Sequence, residues 1–262
     1  MQISIQEIIE QTRHLAAQEA KHKRRLRLSP ETLARLERLH TQDKVQKTFE
    51  HTQEHEKTDT CNLERTEQLR FMENEVRSCT RCALASTRTQ VVFGTGSSEA
   101  DLVFVGEAPG AEEDKQGEPF VGAAGQMLTR IIEDGMKIQR SDVYICNVLK
   151  CRPPGNRDPK QDEAAACAPY LDAQLDIISP KVICALGKHA AHRLLKTDES
   201  TSRLRGRWHE YRGIPVRVTY HPAYLVRQTD PEKLRAEKKK VWEDIKAVMR
   251  VLYGKEHPIP GR

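Results

Sequence analysis

Apolar residues in this chain gather into four short runs separated by longer segments where they recur every third or fourth position. The runs lie at 101–106, 143–149, 182–186 and 215–220 and read as strands. Helical spacing predicts helices over 69–77, 125–134, 160–179 behind Pro159, 187–195 and 232–252, the last with Val241, Ile245, Val248 and Leu252 on one stripe. Strand and helix alternate four times, the pattern of a parallel sheet covered on both faces. In such sheets the loops after the C-terminal strand ends share one edge, where ligands bind.

The first quarter of the chain differs. Ile3, Ile5, Ile8, Ile9 and Leu15 predict a short amphipathic helix over 1–20, and Ser29 can cap a second through about Leu39. Between them KHKRRLR, at 21–27, reads as a solvated face or tether, with phosphate attraction as the sharper alternative. Residues 41–67 have almost nothing to bury and read as a disordered linker containing an incidental Cys61. The expected organisation is an extension over 1–68 that could meet an unidentified partner, a folded domain over 69–254 and a tail over 255–262. Of 262 residues 37% are hydrophobic and 31% charged, and the net charge of +5 is compatible with nucleic acid without requiring it. No apolar run reaches the roughly 20 residues of a membrane span, and the start lacks the pattern of a secretory signal. Seven cysteines in that setting point to metal or buried thiols rather than disulfides.

Chemistry concentrates after the strands. The first empties into Gly106-Glu107-Ala108-Pro109-Gly110, followed by Glu112, Glu113 and Asp114 and then by Phe120 ahead of a Gly/Ala run. Asn147 lies inside the otherwise apolar second strand, where an unpaired amide would cost about 1–3 kcal/mol. His221-Pro222 ends the last strand. An acid, an amide, an imidazole and an aromatic ring on one edge are what a nucleobase pocket requires. Cys146 and Cys184 sit in strand runs and read as buried small hydrophobes. Cys79-x-x-Cys82 with Cys151 and Cys167 supplies four thiolates, enough for a tetrahedral zinc or a cubane iron–sulfur cluster.

The stretches GEAPGAEEDKQGEPFVGAAGQML (106–128), NVLKCRPPGNRDP (147–159), ALGKHAAHRLL (185–195) and VTYHPAYLVR (218–227), with the C-x-x-C at 79–82, resemble the family 4 uracil-DNA glycosylases in order and spacing. The resemblance covers about residues 70–252. It departs from the main uracil glycosylases in having GEAPG for GQDPY, so Ala108 stands where their water-activating aspartate would be. No KRRIH-type insert follows ALGKHAAHRLL.

The resemblance implies a three-layer α/β/α sandwich with a four-stranded parallel sheet, and a structural [4Fe–4S] cluster on Cys79, Cys82, Cys151 and Cys167. It implies uracil excision from single- or double-stranded DNA by a cytoplasmic, nucleoid-associated monomer. Glu107, Glu113 and His221 are then the catalytic candidates. Gly106, Ala108, Gly110, Phe120 and Asn147 contact the base. Lys188, Leu225 and Arg227 touch DNA, Leu225 as the wedge that fills the vacated stack. The rival reading is a non-catalytic nucleic-acid-binding module clipped by zinc or a cluster. A nucleotide-binding protein is disfavoured, since neither G-x-x-x-x-G-K-[ST] nor G-x-G-x-x-G follows a strand.

Overall fold

Leu102–Gly106 forms a strand with every residue buried, hydrogen-bonded on both sides to parallel neighbours. The structure, a computed structural model, describes residues 64–254. The helices expected at 1–20 and from Ser29, the basic run, Cys61 and the tail at 255–262 lie outside the described residues. A helix over 64–77, α1, opens the described part, so residues 64–68, expected to belong to the extension, are helical.

Six strands follow: β1 (Thr95–Gly96), β2 (Leu102–Gly106), β3 (Tyr144–Asn147), β4 (Val182–Leu186), β5 (Trp208–Tyr211) and β6 (Ile214–Thr219). They form one sheet in the order β1-β3-β2-β4-β6-β5. The inner four are mutually parallel, as the sequence predicts, and β1 and β5 add antiparallel edges. The helices after α1 are α2 (Ala111–Gln116), α3 (Ala123–Arg130), α4 (Gln161–Ile178), α5 (Lys188–Leu195), α6 (Thr201–Leu204), α7 (Pro222–Val226) and α8 (Pro231–Tyr253). A π-helical turn, Ile131–Met136, extends α3.

Alternation along the strands divides the core in two. Val103, Val105, Cys146, Ile183, Ala185, Val216 and Val218 face one way, onto Leu69 and Val76 of α1, Leu171 and Leu175 of α4 and Ala190 and Leu194 of α5. Leu102, Phe104, Ile145, Val182, Cys184 and Leu186 face the other way, onto Leu128 of α3, Leu225 of α7 and Val241, Ile245 and Val248 of α8. This is the three-layer α/β/α arrangement. Cys146 and Cys184 are wholly buried in it, as strand-interior thiols should be.

The closing helix is held by charge as well as by its apolar stripe. Asp230 caps α8 by accepting from the backbone N–H of Glu232 and Lys233. On β6 the polar alternates Arg217 and Thr219 face α8 and meet Asp244, which is 0% exposed. Asp244 also accepts from Arg205 Nε at 3.0 Å and from the backbone N–H of Gly206. A carboxylate with this many donors can remain ionised while buried. Removing it would strand two guanidinium groups. Asp244→Ala should therefore lower stability by about 3–5 kcal/mol, measured as a drop in the urea midpoint.

Candidate active site

The four parallel strands end on one edge, and each end contributes to one site. Register pairs Gly106 at the end of β2 with Asn147 at the end of β3. The pairing continues past the strands, where Val148 and Leu149 donate backbone N–H to the carbonyls of Gly106 and Glu107. Gly106 is the closest point of the site. A Cβ there would lie 2.3 Å from Asn147 Oδ1 and 2.5 Å from Phe120 Cζ. The amide and the ring therefore meet across a backbone that must have no side chain.

Asn147 is 2% exposed, and its Oδ1 has no hydrogen-bond partner among the described residues. Phe120 is held in the left-handed region at φ 55°. Arg140 secures that conformation by donating from Nη2 to the carbonyls of Pro119 at 2.9 Å and Phe120 at 3.1 Å. Gly125 permits it, since a Cβ there would fall 1.8 Å from the Phe120 carbonyl oxygen. Nothing in the amino-acid pattern had singled out Arg140.

Phe120 stacks on His221, with centroids 5.5 Å apart and planes 30° from parallel. His221 Nδ1 accepts the backbone N–H of Ala223 at 3.1 Å, so the ring proton is on Nε2 and the imidazole is a neutral donor. Burial pushes its pKa down to about 4, helped by the positive charge of Arg227. The folded value lies below the ordinary one. Stability from this group is thus complete above about pH 6.5 and is lost as pH falls toward 4.

Glu107 is the half-exposed acid of the site. Burial raises its pKa, and Asp158 adds to that, against His189, Arg227 and Lys188, which lower it. His189 Nε2 lies 3.7 Å from Glu107 Oε2 and 3.2 Å from Asp158 Oδ2. The three donor atoms fall within 4.8 Å of one another. His189 and Asp158 lay within quoted motifs, but neither was expected at the site. Lys188 and Arg227 are exposed beside it.

Two of the expected site residues make structural contacts in the fold. Glu113 was expected as a second catalytic acid. Its Oε2 accepts from the Gly110 N–H at 3.1 Å, and its Oε1 accepts from the N–H groups of Val121 at 3.0 Å and Gly122 at 2.9 Å. With both oxygens so engaged, the carboxylate braces the GEAPG loop against the segment carrying Phe120. Leu225 was expected as a wedge. It is 2% exposed and packs in the core with Phe120 and Leu128, while its neighbour Val226 is 43% exposed. Helical geometry turns successive residues about 100° apart, which is why the outward apolar side chain is the next one.

Asp114, the acid after Glu113, is buried and accepts from the backbone N–H of Thr89 at 2.9 Å, tying the loop to the segment after the C-x-x-C. Behind the loop, Ala108 packs against Leu84, Leu149, Cys151 and Cys167. Cys79, Cys82, Cys151 and Cys167 line one pocket with Arg88, Lys150 and Tyr170. Burial raises the pKa of Cys151, and that of Cys167 to about 11. Two N–H groups already point at sulfur: Lys150 N–H to Cys167 Sγ at 3.3 Å and Arg88 Nη1 to Cys151 Sγ at 3.4 Å. An all-thiol donor set in apolar surroundings, with N–H donors aimed at it, fits a metal group that holds the thiols as thiolates.

The sequence model of the family described as Uracil DNA glycosylase superfamily matches residues 93–246, which include both sides of this edge. The chain belongs to the uracil DNA glycosylase superfamily. Among curated superfamily members it is 45% identical to the type-4 uracil-DNA glycosylase of Sulfurisphaera tokodaii, over 64% of this chain and 80% of the relative. It is 45% identical to the type-4 uracil-DNA glycosylase of Thermotoga maritima, over 69% and 93%. Identity to that of Archaeoglobus fulgidus is 42%, over 70% and 92%.

The closeness at Gly106 has a direct consequence for substitution. In Gly106→Ala the added methyl displaces the ends of two side chains, not backbone. The protein should fold with a loss of about 1–3 kcal/mol in chemical denaturation, while base release collapses. Unchanged base release would show that Asn147 and Phe120 need not meet there.

Proposed function

We propose that this protein excises uracil from DNA by hydrolysing the N-glycosidic bond of a flipped-out deoxyuridine, leaving an abasic site. The observation that carries the reading is the buried, unpartnered Oδ1 of Asn147. Uracil offers that oxygen its N3–H, and its O4 accepts from Nδ2. Cytosine presents an acceptor at N3 and a donor at position 4, the reverse pattern, so it leaves the buried amide unsatisfied. The geometry also speaks against the non-catalytic module, which has no need for Glu107, Asn147 and His221 to converge.

Rotating the nucleotide out of the duplex costs a few kcal/mol. Lys188 and Arg227 hold phosphates beside the gap, and Val226 is the apolar side chain that α7 offers to the vacated stack. Phe120 stacks on the base. As the C1′–N1 bond stretches, negative charge grows on uracil and positive charge on the sugar. His221 Nε2–H donates to O2, and its neutrality keeps the proton in place as charge develops. Glu107 orients the attacking water or stabilises the sugar cation, with His189 and Asp158 fixing its position. Gly106, Ala108 and Gly110 bring backbone close to the base.

Cys79, Cys82, Cys151 and Cys167 are assigned to a [4Fe–4S] cluster. Cys79 and Cys82 before β1, Cys151 after β3 and Cys167 of α4 would hold it, and its part would be structural, since hydrolysis calls for no electron. The site is complete within one chain, which supports action as a monomer. Among the described residues no helix is long and apolar enough to cross a membrane. A cytoplasmic, nucleoid-associated place follows from the substrate. A partner for residues 1–68 belongs to the same proposal.

His221→Ala and Asn147→Ala should each slow single-turnover uracil release by about 10²–10³, the usual cost of losing one such donor. Wild-type rates in either would refute the assignment. In a pH series, loss of activity on the acid side should begin at a higher pH than an unperturbed glutamate would give, because burial raises Glu107. Glu107→Gln should abolish that limb. A limb that persists in the variant would assign it to another group.

A further inference from the structure

Lys150 is 0% exposed, deep between the base-reading strand and the thiol pocket. Its Nζ donates to the backbone carbonyl of Asn147 at 2.8 Å and to Gln174 Oε1, and lies 5.8 Å from the centroid of the Phe93 ring. Gln174 is itself fixed, donating from Nε2 to the Phe93 carbonyl and the Tyr144 hydroxyl, both at 3.0 Å. These acceptors are neutral, and Lys150 forms no salt bridge with a carboxylate of the described residues. An ammonium held away from water without an anionic partner is expensive. Lys150 lines the pocket formed by the thiols of Cys79, Cys82, Cys151 and Cys167, and its backbone N–H is already directed at Cys167 Sγ.

A cubane cluster on four thiolates is a buried anion whose properties follow nearby charge and hydrogen bonds. We infer that Lys150 is the counter-charge of that cluster and, through the carbonyl of Asn147, the strut that fixes the base-reading amide. The inference rests on the assignment of a cluster to the four cysteines. It gives the cluster a mechanical consequence for the glycosylase site: bound, it stabilises the charged lysine that holds the end of β3. Lys150 is thus a positioning residue that never meets the substrate.

The test compares wild type with Lys150→Met and Lys150→Gln, as isolated and after iron chelation. It reads iron content, cluster reduction potential, melting temperature and uracil release. Wild type should contain iron. Both variants should show a more negative potential, because a nearby positive charge has gone, and faster loss of iron in air. Chelation should lower the melting temperature of wild type more than that of either variant, since only wild type is left with a stranded charge. Uracil release should fall on the order of tenfold or more in Lys150→Met. It should fall less in Lys150→Gln, whose amide can still donate to Asn147. If Lys150→Met does not fold, Lys150→Gln carries the potential and chelation comparisons. Wild-type iron with unchanged potential and equal melting shifts would overturn the Lys150 assignment and leave the cluster standing. Wild type without iron would overturn both.

Discussion

A side chain is forbidden at Gly106, and the candidate active site is arranged around that prohibition. Register sets Asn147 beside it, and the loop from α2 to α3 brings Phe120 onto its other side. Neither neighbour is free to drift. Phe120 occupies an unfavourable backbone region, at a cost of order 1–3 kcal/mol, and Arg140 and Gly125 are what make that conformation available. Glu113 ties that loop to the GEAPG turn by accepting the backbone N–H groups of Val121 and Gly122 on one side and of Gly110 on the other. The result is a slot whose walls are positioned by backbone hydrogen bonds, the least adaptable contacts the fold has. A planar base meets preset groups there, and little ordering remains to be done on binding.

Charge is distributed to match the reaction. The imidazole beside the base stays neutral, and a neutral donor stabilises growing negative charge without first surrendering its proton. The Glu107 carboxylate is half-exposed with its proton affinity raised by burial, beside His189, Arg227 and Lys188. Lysine and arginine remain at the rim, exposed, where phosphate would lie. The absence of an aspartate at Ala108 has a physical counterpart. That position backs onto the packed cysteines, where a carboxylate would be desolvated.

Much of this was legible in the amino-acid pattern, for identifiable reasons. The four inner strands are buried on both faces, so their apolar runs were continuous. Asn147 stood out as a polar residue in such a run, and His221 as the end of another. Cys79 and Cys82 were marked by spacing, and Cys151 and Cys167 by lying outside strands. Other features depend on three-dimensional placement. β1 and β5 are short edges with polar faces and no periodic signal. Helix α2 is only six residues long, and its acids looked like a loop. For Glu113 the pattern shows the charge and not the amides it binds. Leu225 and Val226 differ by one helical step, which sequence resolves only once the helix is placed. His189 became visible when the third strand end proved to lie beside Glu107. Lys150 lay within a quoted motif and carried no signal of its own; its burial depends on the fold.

The central claim is that the slot beside Gly106 reads the N3 and O4 edge of uracil. It is tested most directly by incubating the purified protein with oligonucleotides identical except for one uracil, cytosine or thymine, and identifying the free base released. The geometry predicts uracil from the first and no cytosine from the second, with alkali-labile abasic sites equal in number to the uracil released. Release of cytosine at a comparable rate, or no base release from the uracil strand, would contradict it.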